Sequence, residues 1–182
     1  MERDERSEDL ILVDTDDNPV GFETKLGAHE SGGKLHRAFS VFVFDRAGRM
    51  LLQRRAKKKY HFGRLWTNAC CGHPKRGEKL ADAARVRLEE EFGFDAEVDE
   101  VFSFVYRATD ANSGLTEHEF DHVFYAAFEG EPRPDPDEIE AWEWVTPAEL
   151  TADLRRNPDD YTPWFVISAP RVIEDPPDHD RM

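Results

Sequence analysis

The stretch GHPKRGEKLADAARVRLEEEFGF, residues 72–94, decides the fold of this chain. Residues 80–92 are predicted to form a helix, because Gly93 follows them at the position where helices commonly end in a left-handed residue. At about 100° per residue, every fourth position forms an apolar stripe, at Leu80, Ala84 and Leu88. Glu91 projects among these apolar residues. A carboxylate on the buried side of a helix needs a cation, and a magnesium ion that holds phosphate oxygens would supply one.

Strands and helices are predicted to alternate on both sides of this helix. Apolar, β-rich runs predict strands at residues 10–13, 38–44, 50–53, 101–107, 119–128 and 142–145. Pro147 is expected to open a short helix, and a last helix is expected near residues 164–169. This interleaving predicts an α/β or α+β fold with a mixed sheet. We expect one domain at residues 10–170, with flexible ends at residues 1–9 and 171–182.

The composition narrows the classes of function and partner. The chain has 182 residues, a net charge of −15 and a pI of about 4.8. Such an acidic surface repels nucleic-acid phosphates, so we expect no nucleic-acid partner. The sequence has no apolar run long enough to cross a membrane and no secretory signal, so we expect no membrane insertion. The two cysteines, Cys70 and Cys71, are adjacent and make a poor disulfide, which favours a cytoplasmic protein. We also expect a monomer. Because the acidic surface repels itself in dilute buffer, we expect a halophilic protein, whose stability and activity rise with salt.

The acidic surface also repels a phosphorylated small molecule unless the site gathers positive charge. One basic cluster occupies residues 54–59, and Lys25 and Arg87 are further candidates. A basic run is usually a solvated surface. Here it lies between Cys71 and the hairpin predicted from the strands at residues 38–44 and 50–53, where a diphosphate can be held by Arg forks and Lys point charges.

Cys71 and His73 are the first candidates for chemistry. A buried free cysteine is usually only a small hydrophobe. An imidazole two residues away favours an activated thiol, because an adjacent imidazole or metal ion can activate a cysteine.

Glu117 and Glu119 are the second pair of candidates. Residues two apart in a strand face the same side, so both carboxylates point one way, beside Asp121. Like charges this close either share a proton or bind a metal, although exposed acid pairs are common in acidic proteins. Together with three imidazoles, from His29, His36 and His73, they form a mixed set of ligands that suits Zn²⁺, Mn²⁺ or Mg²⁺.

Residues 72–94 also resemble the Nudix pattern G-x5-E-x7-R-E-U-x-E-E-x-G-U, in which U is an apolar residue. Seven positions agree, namely Gly72, Glu78, Leu88, Glu90, Glu91, Gly93 and Phe94. The chain departs from the pattern at Val86-Arg87, where the pattern has Arg-Glu. A Nudix-like α/β/α sandwich with a mixed sheet is therefore expected.

The chain as a whole resembles the type 1 isopentenyl-diphosphate isomerase family, from about residue 10 to residue 169. The segments that carry the resemblance include Ala28-His29, Leu35-His36, Trp66-Thr67-Asn68, Cys71-Gly72-His73-Pro74, Tyr106-Arg107-Ala108-Thr109, Glu117-His118-Glu119 and Thr162-Pro163-Trp164. The resemblance implies an enzyme of isoprenoid biosynthesis that interconverts isopentenyl diphosphate and dimethylallyl diphosphate.

The resemblance also implies a role for each matching residue. The ligands of one tightly bound divalent metal would be His29, His36, His73, Glu117 and Glu119. Cys71 and Glu119 would be the acid–base pair, and Tyr106 would support Glu119. Glu91 would bind a second ion, Mg²⁺, that bridges to the diphosphate. The contacts to the diphosphate would be Lys25, Arg55, Lys59 and Arg87. Trp164 would cover the isoprenyl carbon, although a tryptophan at this position can also belong simply to the core.

Two other functions fit parts of the sequence. The first is a Nudix pyrophosphohydrolase acting on a nucleotide diphosphate. Val86-Arg87 counts against this function, because the pair lacks the glutamate of the Nudix pattern and adds a cation. The second is a non-catalytic, acidic metal-binding module, which leaves the basic cluster and Trp164 unexplained. Which of Cys71 and Glu119 donates the first proton is left open by the sequence.

Overall fold

A computed structural model describes residues 9–59 and 61–178, and within them the chain forms one nine-stranded mixed sheet and four α-helices. The strands are β1 (Asp9–Val13), β2 (Pro19–Thr24), β3 (His36–Phe44), β4 (Met50–Arg55), β5 (Trp66–Thr67), β6 (Cys70–Gly72), β7 (Val98–Thr109), β8 (Thr116–Ala127) and β9 (Ile139–Val145). The helices are α1 (Lys25–His29), α2 (Leu80–Phe92), α3 (Pro147–Arg156) and α4 (Pro163–Glu174).

Strand β3 lies at the centre of the sheet. It pairs in parallel with β8, from His36 opposite Glu119 to Phe44 opposite Ala127. It pairs antiparallel with β1, β4 and β6. All its residues from position 38 onward are buried, as expected for a strand that is covered on both faces. The sheet is therefore mixed, as the sequence predicted.

Two hydrophobic cores lie on opposite faces of this sheet. Val41 of β3 packs on one face with Leu88 of α2. Phe42, whose side chain points to the other face, packs with Phe165 of α4. Helices thus cover both faces, and the expected α/β/α arrangement is confirmed.

Helix α2 has the bounds that the sequence predicted. It ends at Gly93, whose φ of 71° is left-handed and whose N–H bonds to the carbonyl of Glu89. Leu88 and Glu91 are both buried, so the predicted placement of a carboxylate among apolar residues is confirmed.

The ends of the domain differ from the prediction. Helix α4 continues to Glu174, past the predicted end at residue 169 and into the segment expected to be a flexible tail. The reason is that Val172 packs in the second core, which stabilises the helix beyond Pro170. At the other end Asp9 already pairs with Thr24 in β1, and the rest of the predicted flexible N-terminus, residues 1–8, lies outside the described residues.

None of the helices in the described ranges is both long enough and apolar enough to cross a membrane.

Candidate active site and metal centre

One cavity of about 900 Å³ gathers most of the residues that the sequence singled out. The predicted site residues in its wall are Lys25, Arg55, Lys59, Cys71, His73, Arg87, Glu91, Tyr106, Glu117, Glu119 and Trp164. His29 and His36 are fully buried behind this wall. Segments that are far apart in the sequence therefore meet at one place in the fold.

The five candidate metal ligands form one cluster. Their ligand atoms, from His29, His36, His73, Glu117 and Glu119, all lie within 4.8 Å of one another. The fold explains the meeting: His29 ends α1, His36 begins β3 directly opposite Glu119 of β8, and His73 follows β6, which also pairs with β3.

His36 shows that the cluster suits a metal ion. Its Nδ1 donates to the carbonyl of Lys34 at 2.8 Å, so that its Nε2 presents a lone pair to the cluster. That Nε2 atom is buried and has no hydrogen-bond partner among the described residues. A buried lone pair facing two carboxylates is stabilised by a cation. The donor set of three imidazoles and two carboxylates fits a divalent ion.

The protonation of His73 agrees with such a role. Its Nε2 lies 3.0 Å from Oε1 of Glu119. Burial lowers the pKa of His73 to about 4, more than the neighbouring carboxylate raises it. The ring is therefore neutral at physiological pH, which is the form that binds metals.

Glu119 is held on both of its oxygens. The hydroxyl of Tyr106 donates to Oε2 at 2.6 Å, while Oε1 faces His73 and His36. Burial and the charge of Glu117 raise the pKa of Glu119, but the neighbouring imidazoles of His36 and His73 outweigh them, and the pKa is lowered. Glu119 is therefore ionised beside the histidines.

The thiol of Cys71 lies in a polar niche at the same cavity. Its Sγ is 3.4 Å from Oγ of Ser40 and 3.3 Å from Nδ2 of Asn68. Burial, together with the charge of Asp121, raises the pKa of Cys71 to about 12. The group is therefore a neutral thiol that carries a proton. Its neighbour Cys70 is fully buried in the first core, away from this niche.

Glu91 and the candidate diphosphate contacts form a linked network. Gln53 donates to Oε2 of Glu91 at 2.6 Å, and Nε of Arg87 lies 2.7 Å from Oε1. The carboxylate that the sequence predicted to need a cation thus has Arg87 beside it. Arg87 also bonds to Glu138 at 2.9 Å, and Lys59 bonds to the same Glu138 oxygen.

Trp164 belongs to the core and to the cavity at once. It is 4% exposed and packs edge-on against Phe62, with ring centroids 5.5 Å apart. The guanidinium carbon of Arg55 lies 5.4 Å from its ring centroid. Both interpretations of this tryptophan, as a core residue and as an aromatic wall of the site, therefore agree with its position.

Several residues around the site had no assigned role in the sequence analysis, among them Ser40, His61, Asp121 and Glu138. Ser40 donates to Asp121 at 2.7 Å and contacts the thiol of Cys71. His61 contacts Oε1 of Glu117, and Glu138 joins Lys59 to Arg87. Asp121 continues the two-residue period of Glu117 and Glu119, which is a pattern that the sequence contains. The other three become visible only when distant segments meet.

Comparison with known proteins shows the family of this chain. A family model described as NUDIX domain matches residues 34–165. An isopentenyl-diphosphate Delta-isomerase of Aromatoleum aromaticum is 54% identical over 164 residues, which cover 90% of this chain and 86% of that protein. The chain belongs to the isopentenyl-diphosphate Delta-isomerase family. The isopentenyl-diphosphate Delta-isomerase of Serratia proteamaculans is 50% identical, over 86% of this chain and 87% of that protein. The one of Halorhodospira halophila is 48% identical, over 93% of this chain and 95% of that protein.

Two solved structures share the fold of this member of the isopentenyl-diphosphate Delta-isomerase family. A Deinococcus radiodurans protein superimposes with a TM-score of 0.73 at 20% identity, covering 90% of this chain and 98% of that one. The MutT protein of Methanosarcina mazei superimposes with a TM-score of 0.63 at 15% identity, covering 81% and 94%. These similarities concern the fold alone.

Proposed function

We propose that this chain interconverts isopentenyl diphosphate and dimethylallyl diphosphate by adding one proton and removing another. The observation that carries the proposal is that Cys71 and Glu119 line one cavity, each held by its own hydrogen-bond partners. Family membership supports the same reaction.

The chemistry requires two proton-transferring groups at the substrate. One group gives a proton to the terminal alkene carbon, which leaves positive charge on the tertiary carbon. The other takes a proton from the neighbouring carbon, and the double bond forms there. In this proposal Cys71 and Glu119 are these groups, and either can act first, depending on the direction of reaction. Tyr106 holds Glu119 in place.

The wall of the cavity suits the charged state in between. Trp164 presents an aromatic ring, whose face attracts positive charge. Tyr106 lies beside it, with the two ring centroids 6.1 Å apart. Both side chains are buried, which limits the access of water to this part of the cavity. A carbocation-like state survives longer where water is excluded. We therefore assign Trp164 to the stabilisation of the isoprenyl cation.

The diphosphate is proposed to bind at the basic side of the cavity. Lys25, Arg55, Lys59 and Arg87 line it, in a chain whose overall charge is strongly negative. Glu91 would help to hold Mg²⁺ at the diphosphate side of the cavity. The tight ion would be Mn²⁺, Zn²⁺ or Mg²⁺, held by His29, His36, His73, Glu117 and Glu119. When bound, these ions supply positive charge that neutralises the diphosphate and the buried carboxylates.

Hydrolysis of a nucleotide diphosphate is the competing function, because the fold is shared with Nudix hydrolases. Arg87 occupies the position of the Nudix glutamate and pairs with Glu91 and Glu138, which favours holding a diphosphate intact. Phosphorus NMR of the protein with isopentenyl diphosphate and Mg²⁺ distinguishes the two. We expect the diphosphate resonances of dimethylallyl diphosphate. Release of inorganic phosphate, or turnover of nucleoside diphosphate derivatives alone, contradicts the proposal.

We also infer that the enzyme acts as a cytoplasmic monomer on this small-molecule substrate. The adjacent cysteines, one buried and one in the cavity, leave no disulfide between them, and both are free thiols.

A further inference from the structure

His61 lies against the candidate metal centre without belonging to its group of ligands. It is 5% exposed, and its Nε2 contacts Oε1 of Glu117. The other oxygen of that carboxylate, Oε2, faces the cluster, 2.8 Å from Nε2 of His29 and 3.8 Å from Nε2 of His36. The two oxygens of Glu117 therefore point to different partners.

Among the described residues, five have ligand atoms that all lie within 4.8 Å of one another. His61 is not one of these five. Its Nε2 faces a carboxylate oxygen, which accepts hydrogen bonds but does not donate them. The nitrogen is therefore the donor, and an N–H is available there in the neutral ring and in the protonated ring alike. The contact orients Glu117 whatever the charge of His61.

The segment that carries His61 is held in an uncommon conformation. Phe62 and Arg64 have φ of 50° and 66°, in the left-handed region that side chains with a Cβ disfavour. Arg55 donates to the carbonyls of Phe62 at 3.0 Å and His61 at 3.3 Å. The N–H of Phe62 donates to Asp110 at 3.2 Å. Such a conformation persists only where several contacts impose it, and here they aim His61 at Glu117.

We propose that His61 is a positioning residue that holds Glu117 so that a single oxygen, Oε2, faces the metal. The proposal rests on the metal centre assigned above and adds a residue to it. Partners that hydrogen-bond to metal ligands typically change metal affinity by ~10–100-fold when they are removed. A histidine on the far oxygen of a ligating carboxylate is such a partner.

Two variants of similar size separate the hydrogen bond from the packing. His61→Leu fills the space without a donor, whereas His61→Gln keeps an N–H that can reach Glu117. We expect His61→Leu to bind Mn²⁺ or Co²⁺ more weakly by ~10-fold or more and His61→Gln to recover most of that loss. His118→Ala is the matched control, because His118 is adjacent to Glu117 in the sequence but faces the other side of β8, toward the carbonyl of Gly33 at 3.3 Å.

The readouts are metal affinity by calorimetry and the visible absorption of the Co²⁺ protein. Equal affinities of the Leu and Gln variants contradict the proposal, as does a wild-type affinity of His61→Leu. A Co²⁺ spectrum showing that His61→Leu has lost a ligand contradicts it too, since His61 would then bind the metal itself. Isomerisation by the wild-type protein is measured in parallel. Its absence contradicts the proposed function, while the affinities still decide the role of His61.

Discussion

The hydroxyl of Tyr106 lies 2.6 Å from Oε2 of Glu119 and donates a hydrogen bond to it. The two residues are direct partners in the β7–β8 pairing, so the sheet itself brings the hydroxyl to the carboxylate. Burial, together with the charges of Glu119 and Glu117, raises the pKa of Tyr106 well above its usual range. Tyr106 therefore stays protonated and remains a donor.

Replacing Tyr106 by Phe is expected to lower kcat by ~10-fold or more while leaving KM and metal content near the wild-type values. A hydrogen bond to a charged group contributes about 1.5–3 kcal/mol, and about 1.4 kcal/mol corresponds to a tenfold change in rate. Steady-state kinetics and metal analysis measure the effect. Tyr125→Phe is the control, because its hydroxyl donates to the carbonyl of Asp175 at 2.7 Å instead. An unchanged kcat in Tyr106→Phe would show that Glu119 does not depend on this bond.

The two adjacent cysteines are expected to behave differently. Cys71→Ala should abolish turnover, because it removes the thiol from the wall of the cavity. Cys70→Ala should retain most of the activity and lose some stability, because Cys70 packs in the first core. Kinetics and thermal melts of both variants measure this difference. Equal losses of activity would mean that the wrong thiol, or the wrong role, has been assigned.

Glu91 is expected to set the requirement for free Mg²⁺. Glu91→Gln should raise the Mg²⁺ concentration that gives half-maximal activity by about tenfold or more, the scale typical of metal-site partners. The content of tightly bound metal should not change, because Glu91 lies outside that cluster. Glu89→Gln, an exposed carboxylate on the same helix, is the matched control. Identical Mg²⁺ titrations of the two variants would remove Glu91 from the diphosphate site.

The sequence predicted those parts of the site that follow a local period. The helix spacing placed Glu91 on the buried face of α2, and the strand spacing placed Glu117 and Glu119 on one side of β8. His61 and Glu138 were missed, because their partners are 56 and 79 residues away in the sequence. No local pattern encodes a contact of that length.

Two of the strands that the sequence analysis missed have an equally physical explanation. Strands β5 and β6 are two and three residues long, too short for a periodic pattern to appear. The residue types alone suggested the candidate ligand set, and the resemblance to a family implied the same five residues. The departure at Val86-Arg87 was visible in the sequence, whereas the pairing of Arg87 with Glu91 and Glu138 required the fold.

Molar KCl is expected to raise the melting temperature. Acidic residues number 39 against 24 basic ones, and a surface of one sign destabilises the compact state by repelling itself. The Debye length falls to about 3 Å in molar salt, so most of that repulsion is screened. Thermal melts in dilute buffer and in KCl measure the change. A melting temperature that stays the same or falls in KCl would leave the acidity without this explanation.

Proton NMR in D₂O with isopentenyl diphosphate and Mg²⁺ tests the central claim most directly. If Cys71 and Glu119 exchange protons with solvent and with the substrate, dimethylallyl diphosphate should appear with deuterium in its new methyl group. The diphosphate should remain intact, because the cations of the cavity hold it rather than cleave it. A product without deuterium, or inorganic phosphate in its place, would contradict the account.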